Sequence, residues 1–235
     1  MMKKILFLST IAVACFSAQK SSADLLVGWD FAGLTATTAS TATPPSINAV
    51  VGSGTLDISS FGLGTPQGTN PERTSFGGST INSFVGGESV TGTALALANS
   101  SANGKSLIFS FSTLGYEDLV VSFATRGTST GFNTHAWAWS TDGVNYTSIV
   151  GNTAVTATVF ELKTLDLSAI TGVDNSATAY LKLTLSGATS ATGNNRLDNF
   201  TVTALPVSVP EPTPMALVGG FGVLGLFMAA RRRNG

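Results

Sequence analysis

The chain has 235 residues, of which only 11% are charged, and it contains one cysteine and one histidine. Between Asp24 and Ser208, six basic residues stand against twelve acidic ones, which gives a net charge of about −6. This balance argues against nucleic acid or an anionic lipid surface as a partner. The scarcity of cysteine and histidine excludes thiolate zinc sites and histidine clusters.

The N-terminus has the pattern of a secretory signal peptide. Lys3 and Lys4 precede a short apolar stretch over residues 5–16, and small side chains stand just before Asp24. The stretch is shorter than the roughly 20 apolar residues that span a bilayer. We therefore expect a signal peptide over residues 1–23 and a mature chain that begins near Asp24.

Two other interpretations of this segment stay open. The first is a buried N-terminal helix, although the polar residues 19–22 interrupt its apolar face. The second is a lipoprotein, because residues 12–15, Ala-Val-Ala-Cys, loosely resemble a lipoprotein cleavage box. Such boxes usually carry a large aliphatic residue where Ala12 stands. If Cys15 is removed with the signal peptide, no disulfide stabilises the mature chain.

Residues 24–204 are predicted to form one all-β domain. Short segments rich in β-branched and aromatic residues alternate with Gly and Asn turns, and no helical repeat exceeds about ten residues. The predicted strands are 25–31, 55–60, 106–112, 119–125, 133–140, 145–150, 155–162, 179–185 and 197–204. Segments 32–45 and 62–78 are predicted as exposed loops. The pattern favours a single antiparallel β-sandwich of the jelly-roll type.

Two local patterns support the jelly roll. Asp142 and Gly143 lie between two predicted strands and form a strong hairpin signal. Residues 194–203, Asn-Asn-Arg-Leu-Asp-Asn-Phe-Thr-Val-Thr, resemble the closing strand of galactose-binding-like and carbohydrate-binding jelly rolls. This resemblance implies the galactose-binding-like fold, but sandwiches of this kind also serve as spacers in anchored proteins.

One predicted strand carries the candidate glycan-binding residues. His135, Trp137 and Trp139 alternate with alanines, so all three face one side of the strand. They form either a sugar-stacking platform, with Tyr146 nearby, or the core face of the strand. Because large aromatic side chains are usually buried, the core face is favoured.

Oxygen-bearing side chains offer a second candidate site. Asp30, Asp142 and Asp198, with Asn194 and Asn195, have the ligand chemistry of a Ca²⁺ site in a jelly roll. The alternative, which is favoured, is that these side chains bond their own backbone in turns. No other cofactor is predicted.

The sequence offers little catalytic chemistry. Residues 127–131 match the Gly-x-Ser-x-Gly elbow, but that motif requires a following helix, and residues 133–140 alternate like a strand. Glycosidases need two carboxylates that face one cleft, and no Asp/Glu-x-Asp/Glu pair lies on a predicted strand. The chain is predicted not to be an enzyme.

The C-terminal tail, residues 205–235, has three parts. They are Val209, Pro210, Glu211 and Pro212; a sixteen-residue apolar run over 215–230; and Arg231, Arg232 and Arg233. The run forms about 24 Å of helix, a little shorter than the roughly 30 Å hydrocarbon core that it is predicted to cross. The arginines place the C-terminus in the cytoplasm, so the β domain lies outside the inner membrane.

Residues 209–235 resemble the PEP-CTERM sorting domain. The resemblance implies recognition by an exosortase, a membrane cysteine protease of Gram-negative bacteria that also encode exopolysaccharide machinery. It also implies removal of the tail as the protein passes to the outer surface or extracellular matrix. Pro210 and Pro212 hold Glu211 on a rigid extended segment, which suits a protease groove. A plain membrane anchor that is never processed is the alternative.

These features predict a non-catalytic, exported cell-surface or matrix protein. Its precursor is expected to be anchored in the inner membrane, and its expected partners are the exosortase and the exopolysaccharide of a biofilm matrix. The alternative function is a carbohydrate-binding module that binds a specific surface or matrix glycan.

Overall fold

The computed structural model describes residues 22–34, 45–63, 71–87 and 92–208. The predicted sorting tail and nearly all of the predicted signal peptide lie outside these ranges, as do parts of both predicted loops. In the described part of the chain, no helix is long and apolar enough to cross a membrane.

Within these ranges the chain forms two six-stranded sheets. The strands are β1 Asp24–Trp29, β2 Ser46–Asn48, β3 Gly54–Asp57, β4 Arg73–Gly77, β5 Thr93–Ala98, β6 Ser106–Phe111, β7 Tyr116–Gly127, β8 Thr134–Ser140, β9 Thr147–Ile149, β10 Glu161–Asp166, β11 Ala179–Ser186 and β12 Asn194–Pro206. Sheet A has the order β10-β7-β12-β5-β4, with β1 also paired to β12. Sheet B has the order β2-β3-β6-β11-β8-β9.

The predicted all-β class is confirmed, and the two sheets are antiparallel throughout the pairings described. The predicted strand over 155–162 was placed too early, because the strand begins only at Glu161. The reason is topological. β9 belongs to sheet B and β10 to sheet A, so the intervening residues cross between the sheets.

Part of the predicted loop over 62–78 is wrong, because Arg73–Gly77 forms β4. The strand escaped prediction because two of its inward-facing residues, Arg73 and Ser75, are polar. Both are buried, and the Arg73 guanidinium donates to the carbonyl of Ile58 at 3.0 Å. A hydrogen bond of this kind makes burial of the polar group tolerable.

The core lies between the sheets and centres on five aromatic rings. These are Trp29, Phe109, Phe123, Trp137 and Phe200, which contact one another in stacked, tilted and edge-on arrangements. The indole N–H of Trp29 donates to the carbonyl of Ile47 at 3.1 Å, so its polar atom is satisfied. Large apolar burial of this kind is the main stabilising contribution to the fold.

The Asp-Asn pair in the closing strand has a structural role. Asn199 has a φ of 48° and forms a bulge in β12. The Asp198 carboxylate accepts the N–H of Ser79 at 2.6 Å, and the Asn199 amide donates to the carbonyls of Ser79 and Ile81. The bulge therefore holds residues 79–82, which follow β4, against sheet A.

Candidate functional site

The predicted platform residues share one face of β8, but that face is the core face. His135 is fully buried and Trp137 is 2% exposed. Trp139 is partly buried against the core, and its ring lies directly over Gly172. The sugar-stacking role of His135 and Trp137 is therefore wrong, because neither side chain has a free surface. The other interpretation of the sequence, that these residues form the core face of the strand, is correct for His135 and Trp137.

His135 belongs to a buried polar network. The N–H of Phe132 donates to the amide oxygen of Asn195 at 2.8 Å, so the Asn195 amide nitrogen faces His135 Nε2 at 3.3 Å. Nε2 then accepts, and Nδ1–H donates to Thr153 Oγ1 at 3.0 Å. The Trp137 indole N–H donates to the same oxygen at 2.9 Å. Burial lowers the pKa of His135 to about 3, so the imidazole is neutral.

Tyr146, the remaining predicted glycan residue, lies on the opposite side of sheet B. The Lys182 ammonium sits 3.9 Å from the centroid of the Tyr146 ring, a cation–π contact. In the same turn Gly143 packs against Tyr180, since a Cβ added there would lie 3.2 Å from the Tyr180 ring. The β8–β9 hairpin thus brings two tyrosines and a lysine together on the outward face.

These residues continue a polar row that crosses the sheet. The strand register places Asn48, Thr55, Ser110, Tyr180 and Ser140 opposite one another on five adjacent strands. All five are on the side of the sheet away from the core, because their neighbours along each strand point inward. Ser140 is buried, however, and its hydroxyl bonds Asp142 and Gly143, so the open part of the row runs from Asn48 to Tyr180. At about 4.8 Å between strands, the open row is roughly 14 Å long. A row of this length suits an extended ligand.

A cleft of about 540 Å³ opens at one end of this row. Asn48, Thr55 and Ser110 line the cleft and also belong to the row, and Ser53 and Thr178 add hydroxyl groups. The cleft and the row therefore form one surface. We call it the sheet B outer face, and define it as Asn48, Thr55, Ser110, Tyr146, Tyr180 and Lys182.

The chemistry of this face is that of a site for a polyhydroxylated ligand. Its amide and hydroxyl groups both donate and accept hydrogen bonds. The rings of Tyr146 and Tyr180 supply apolar area, while the Tyr146 hydroxyl is itself buried. Both tyrosines are half-buried, so each presents part of its surface while the remainder is fixed by packing.

The predicted calcium ligands are used in turns. Asp142 accepts hydrogen bonds from the Asn145 side-chain amide and from the backbone N–H groups of Val144 and Asn145, and these bonds, with the one from Ser140, lower the pKa of its carboxyl. Asp30 accepts the N–H of Ala32. Among the described residues, no three His, Cys, Asp or Glu side chains form a metal-binding group.

Two further sequence predictions concern residues elsewhere in the fold. Asn195 lies in the buried histidine network rather than at a surface site. Residues 127–131 form a turn between β7 and β8, and the helix that a nucleophile elbow requires is replaced by a strand. The residues predicted to act in sorting, Val209 to Pro212 and Arg231 to Arg233, lie outside the described residues.

Sequence reasoning missed Tyr180 and Lys182 as site residues. The signal was present in β11, where Tyr180, Lys182 and Thr184 alternate with buried leucines. That alternation assigns them to the outward face. Their proximity to Tyr146 depends on how the β8–β9 hairpin folds back, which no local pattern encodes.

No family model and no curated protein matches the chain. Among solved structures, the chain is similar to the CBM22-1 xylan-binding domain of Paenibacillus barcinonensis Xyn10C, with 12% identity over 81% of this chain and 100% of that chain, at a TM-score of 0.43. It is similar to the K3 adhesin domain of Lys-gingipain from Porphyromonas gingivalis, with 12% identity over 77% and 99%, at 0.41. It is also similar to TmCBM61 in complex with β-1,4-galactotriose, with 16% identity over 56% and 81%, at 0.34. Likenesses at this level are too low to transfer a ligand or a site.

Proposed function

We propose that this protein is an exported, non-catalytic glycan-binding protein that holds a sugar chain along the sheet B outer face. The observation that carries the proposal is the row that runs from Asn48 through Tyr180 to the hairpin of Tyr146. It combines hydrogen-bonding groups, aromatic rings and a cleft on one open sheet surface.

The geometry favours a chain over a single sugar. The open row is roughly 14 Å long and spans four strands, and the cleft at its end continues it. The aromatic rings at one end can pack against a ligand. The amide and hydroxyl groups at the other end can orient it through hydrogen bonds. Tyr180 stands between the two and is the residue on which the binding of a chain depends most.

The test is binding of the purified full chain to a glycan array, followed by titration of the best ligand. Tyr180→Ala should weaken binding by about tenfold, since a packed aromatic ring contributes roughly 1.4 kcal/mol, which corresponds to a tenfold change in affinity. Tyr116→Ala is the matched control, because that tyrosine lies in β7 of sheet A. Binding that is unchanged in Tyr180→Ala, or equally reduced in Tyr116→Ala, would contradict the proposal.

We further propose that the tail delivers this domain to the cell surface. The support is in the sequence, where a Pro-Glu-Pro segment, an apolar run and three arginines follow in order. β12 ends at Pro206, so the sorting segment begins three residues after the last strand. An enzyme can therefore reach it without unfolding of the sandwich.

A further inference from the structure

Sheet A carries an unusual pair of like charges on its outward face. Arg126 of β7 and Arg196 of β12 lie directly opposite each other in the strand register. Like charges in this position destabilise a sheet. They are two of only six basic residues between Asp24 and Ser208, so their placement side by side calls for a physical reason.

Neither arginine is neutralised within the described part of the chain. The ion pairs there are Lys105–Glu72 and Lys163–Glu161. The Nε atoms of both arginines are buried without a hydrogen-bond partner, and Arg196 donates through Nη1 to the carbonyl of Gly77 at 3.0 Å. Burial and the adjacent Arg126 charge lower the pKa of Arg196.

Two phenylalanines flank the arginine pair. The Arg126 guanidinium lies 5.7 Å from the centroid of Phe160, and the Arg196 guanidinium lies 4.6 Å from the centroid of Phe76. Phe76 is 40% exposed, so its ring is accessible from solvent. We call Phe160, Arg126, Arg196 and Phe76 the arginine row.

Small residues lie beside the arginine row. Ala94, Ala96 and Ala124 share the outward side of sheet A with the two arginines, and all three are fully buried. No large side chain from these positions stands between the two guanidinium groups and a ligand that lies across the sheet. Contact with the two rings restricts the guanidinium groups, which reduces the entropy lost when they bind.

We propose that the arginine row binds carboxylate groups of an acidic polysaccharide. The planar guanidinium matches a carboxylate with two parallel hydrogen bonds, which a neutral sugar does not offer. The phenylalanine rings pack against the C–H faces of the sugars on either side of the charge. The bound carboxylate removes the repulsion between the arginines, so the ligand stabilises the domain as it binds.

This site is separate from the sheet B outer face, because it lies on the other sheet of the sandwich. Its ligand is anionic, whereas the sheet B outer face combines one lysine with neutral groups. The net charge of about −6 between Asp24 and Ser208 disfavours general attraction of polyanions. Binding of an acidic polymer therefore depends on the local pair.

The test measures binding of the purified full chain to polygalacturonate, with its methyl ester as the neutral control. Arg126→Gln and Arg196→Gln should each weaken polygalacturonate binding by about tenfold, the effect of one lost charge-assisted pair. Lys163→Gln is the matched control, because it removes one positive charge from the same sheet. Tyr180→Ala should leave this binding unchanged, which separates failure here from failure of the neutral-glycan proposal.

Other outcomes overturn the assignment. Equal binding to the methyl ester shows that charge is not recognised, and equal binding to polyglutamate shows that the sugar is not recognised. Stronger binding to dextran sulfate than to polygalacturonate replaces carboxylate with sulfate as the ligand group.

The variants also report on folding. Because each Arg→Gln change removes a like-charge repulsion, we expect the melting temperature to be unchanged or higher. If Arg196→Gln is less stable than the wild type, Arg196→Lys is tested in its place, because it keeps the positive charge but lacks the planar guanidinium. Arg196→Lys should fold normally and bind polygalacturonate more weakly. Binding by Arg196→Lys that is as tight as wild-type binding contradicts the proposal.

Discussion

Phe200 of β12 lies face to face with Phe109 of β6, with their ring centroids 3.9 Å apart and 9° between the ring planes. The two residues belong to different sheets, and both are fully buried. Phe200 also lies 5.8 Å from Trp29 and 5.5 Å from Phe123. This contact therefore joins the two sheets at the centre of the sandwich.

We expect Phe200→Ala to lower the free energy of unfolding by about 3–5 kcal/mol, the usual range for a buried phenylalanine. Most of the loss comes from the cavity, because four aromatic neighbours are held by the two sheets and do not collapse into it. Urea denaturation measures the change. Phe76→Ala, at a partly exposed position, should cost much less, and equal losses in the two variants would contradict the central role of Phe200.

The buried histidine predicts a dependence of stability on pH. The pKa of His135 is lowered to about 3 in the folded chain, against 6.5 without burial. Above pH 6.5 the imidazole is neutral in both states, and below it only the unfolded chain takes up the proton. The free energy of unfolding should therefore fall by about 2 kcal/mol between pH 6.5 and pH 5.

His135→Gln is the control for this dependence. The protein has one histidine, so the variant has no group of this kind between pH 6.5 and 5. Its free energy of unfolding should be lower at pH 7, because the network to Thr153 and Asn195 is lost, but nearly flat down to pH 5. A slope equal to that of the wild type in urea titrations would show that another group is responsible.

The bulge residue Asn199 predicts a local effect. Asn199→Ala removes two hydrogen bonds to the carbonyls of Ser79 and Ile81. It also places alanine at a positive φ, a backbone conformation that alanine adopts less readily than asparagine or glycine. We expect a loss of about 1–3 kcal/mol. Limited proteolysis should cut residues 78–87 faster in the variant. Asn199→Gly loses the same hydrogen bonds but avoids the backbone strain, so its cleavage rate should lie between those of the wild type and Asn199→Ala. Identical cleavage rates in the three proteins would contradict this account.

Much of the fold follows from alternation along each strand. The pattern identified the strands around His135, Tyr180 and Phe200 and the hairpin at Gly143, because side chains alternate between two faces. It did not identify β4, since Arg73 and Ser75 place polar groups in the core, where their hydrogen bonds are made by distant residues.

The candidate sites are harder to predict because they depend on register between distant strands. Alternation groups Trp137 with His135, but which face is buried depends on the other sheet. Arg126 and Arg196 are 70 residues apart and meet only through the pairing of β7 with β12. Tyr180 joins Ser110 for the same reason. The local sequence shows which residues share one face of a strand. Pairing between distant strands decides which of these residues meet at a site.

The N-terminus of the mature protein is a separate prediction. Asp24 is the first residue of β1 and pairs with Ala204 of β12, so cleavage just before it leaves the strand whole. Mass spectrometry of the exported form should find a chain that begins at or near Asp24 and lacks Cys15. A diacylated Cys15 at the N-terminus would show that the lipoprotein interpretation is right instead.

The proposed sorting role of the tail predicts two different phenotypes for its two charged parts. Glu211→Ala should leave membrane insertion intact, because the apolar run and the three arginines are unchanged. Full-length precursor should then accumulate in the inner membrane while the surface pool falls. Deletion of Arg231 to Arg233 should instead disturb insertion or orientation. Glu161→Ala, at an exposed carboxylate in β10, is the matched control and should be sorted normally.

These phenotypes distinguish a transient signal from a permanent anchor. The apolar run has only sixteen residues and includes Gly219, Gly220, Gly222 and Gly225, which lower its helix propensity. A lasting anchor has no use for a rigid Pro-Glu-Pro segment at its outer end, whereas an enzyme that reads an extended segment does. Cell fractionation with antibodies to the sandwich and mass spectrometry of the surface pool measure both outcomes. Wild-type surface protein that still carries residues 215–235 would show that the tail is an anchor that is never removed.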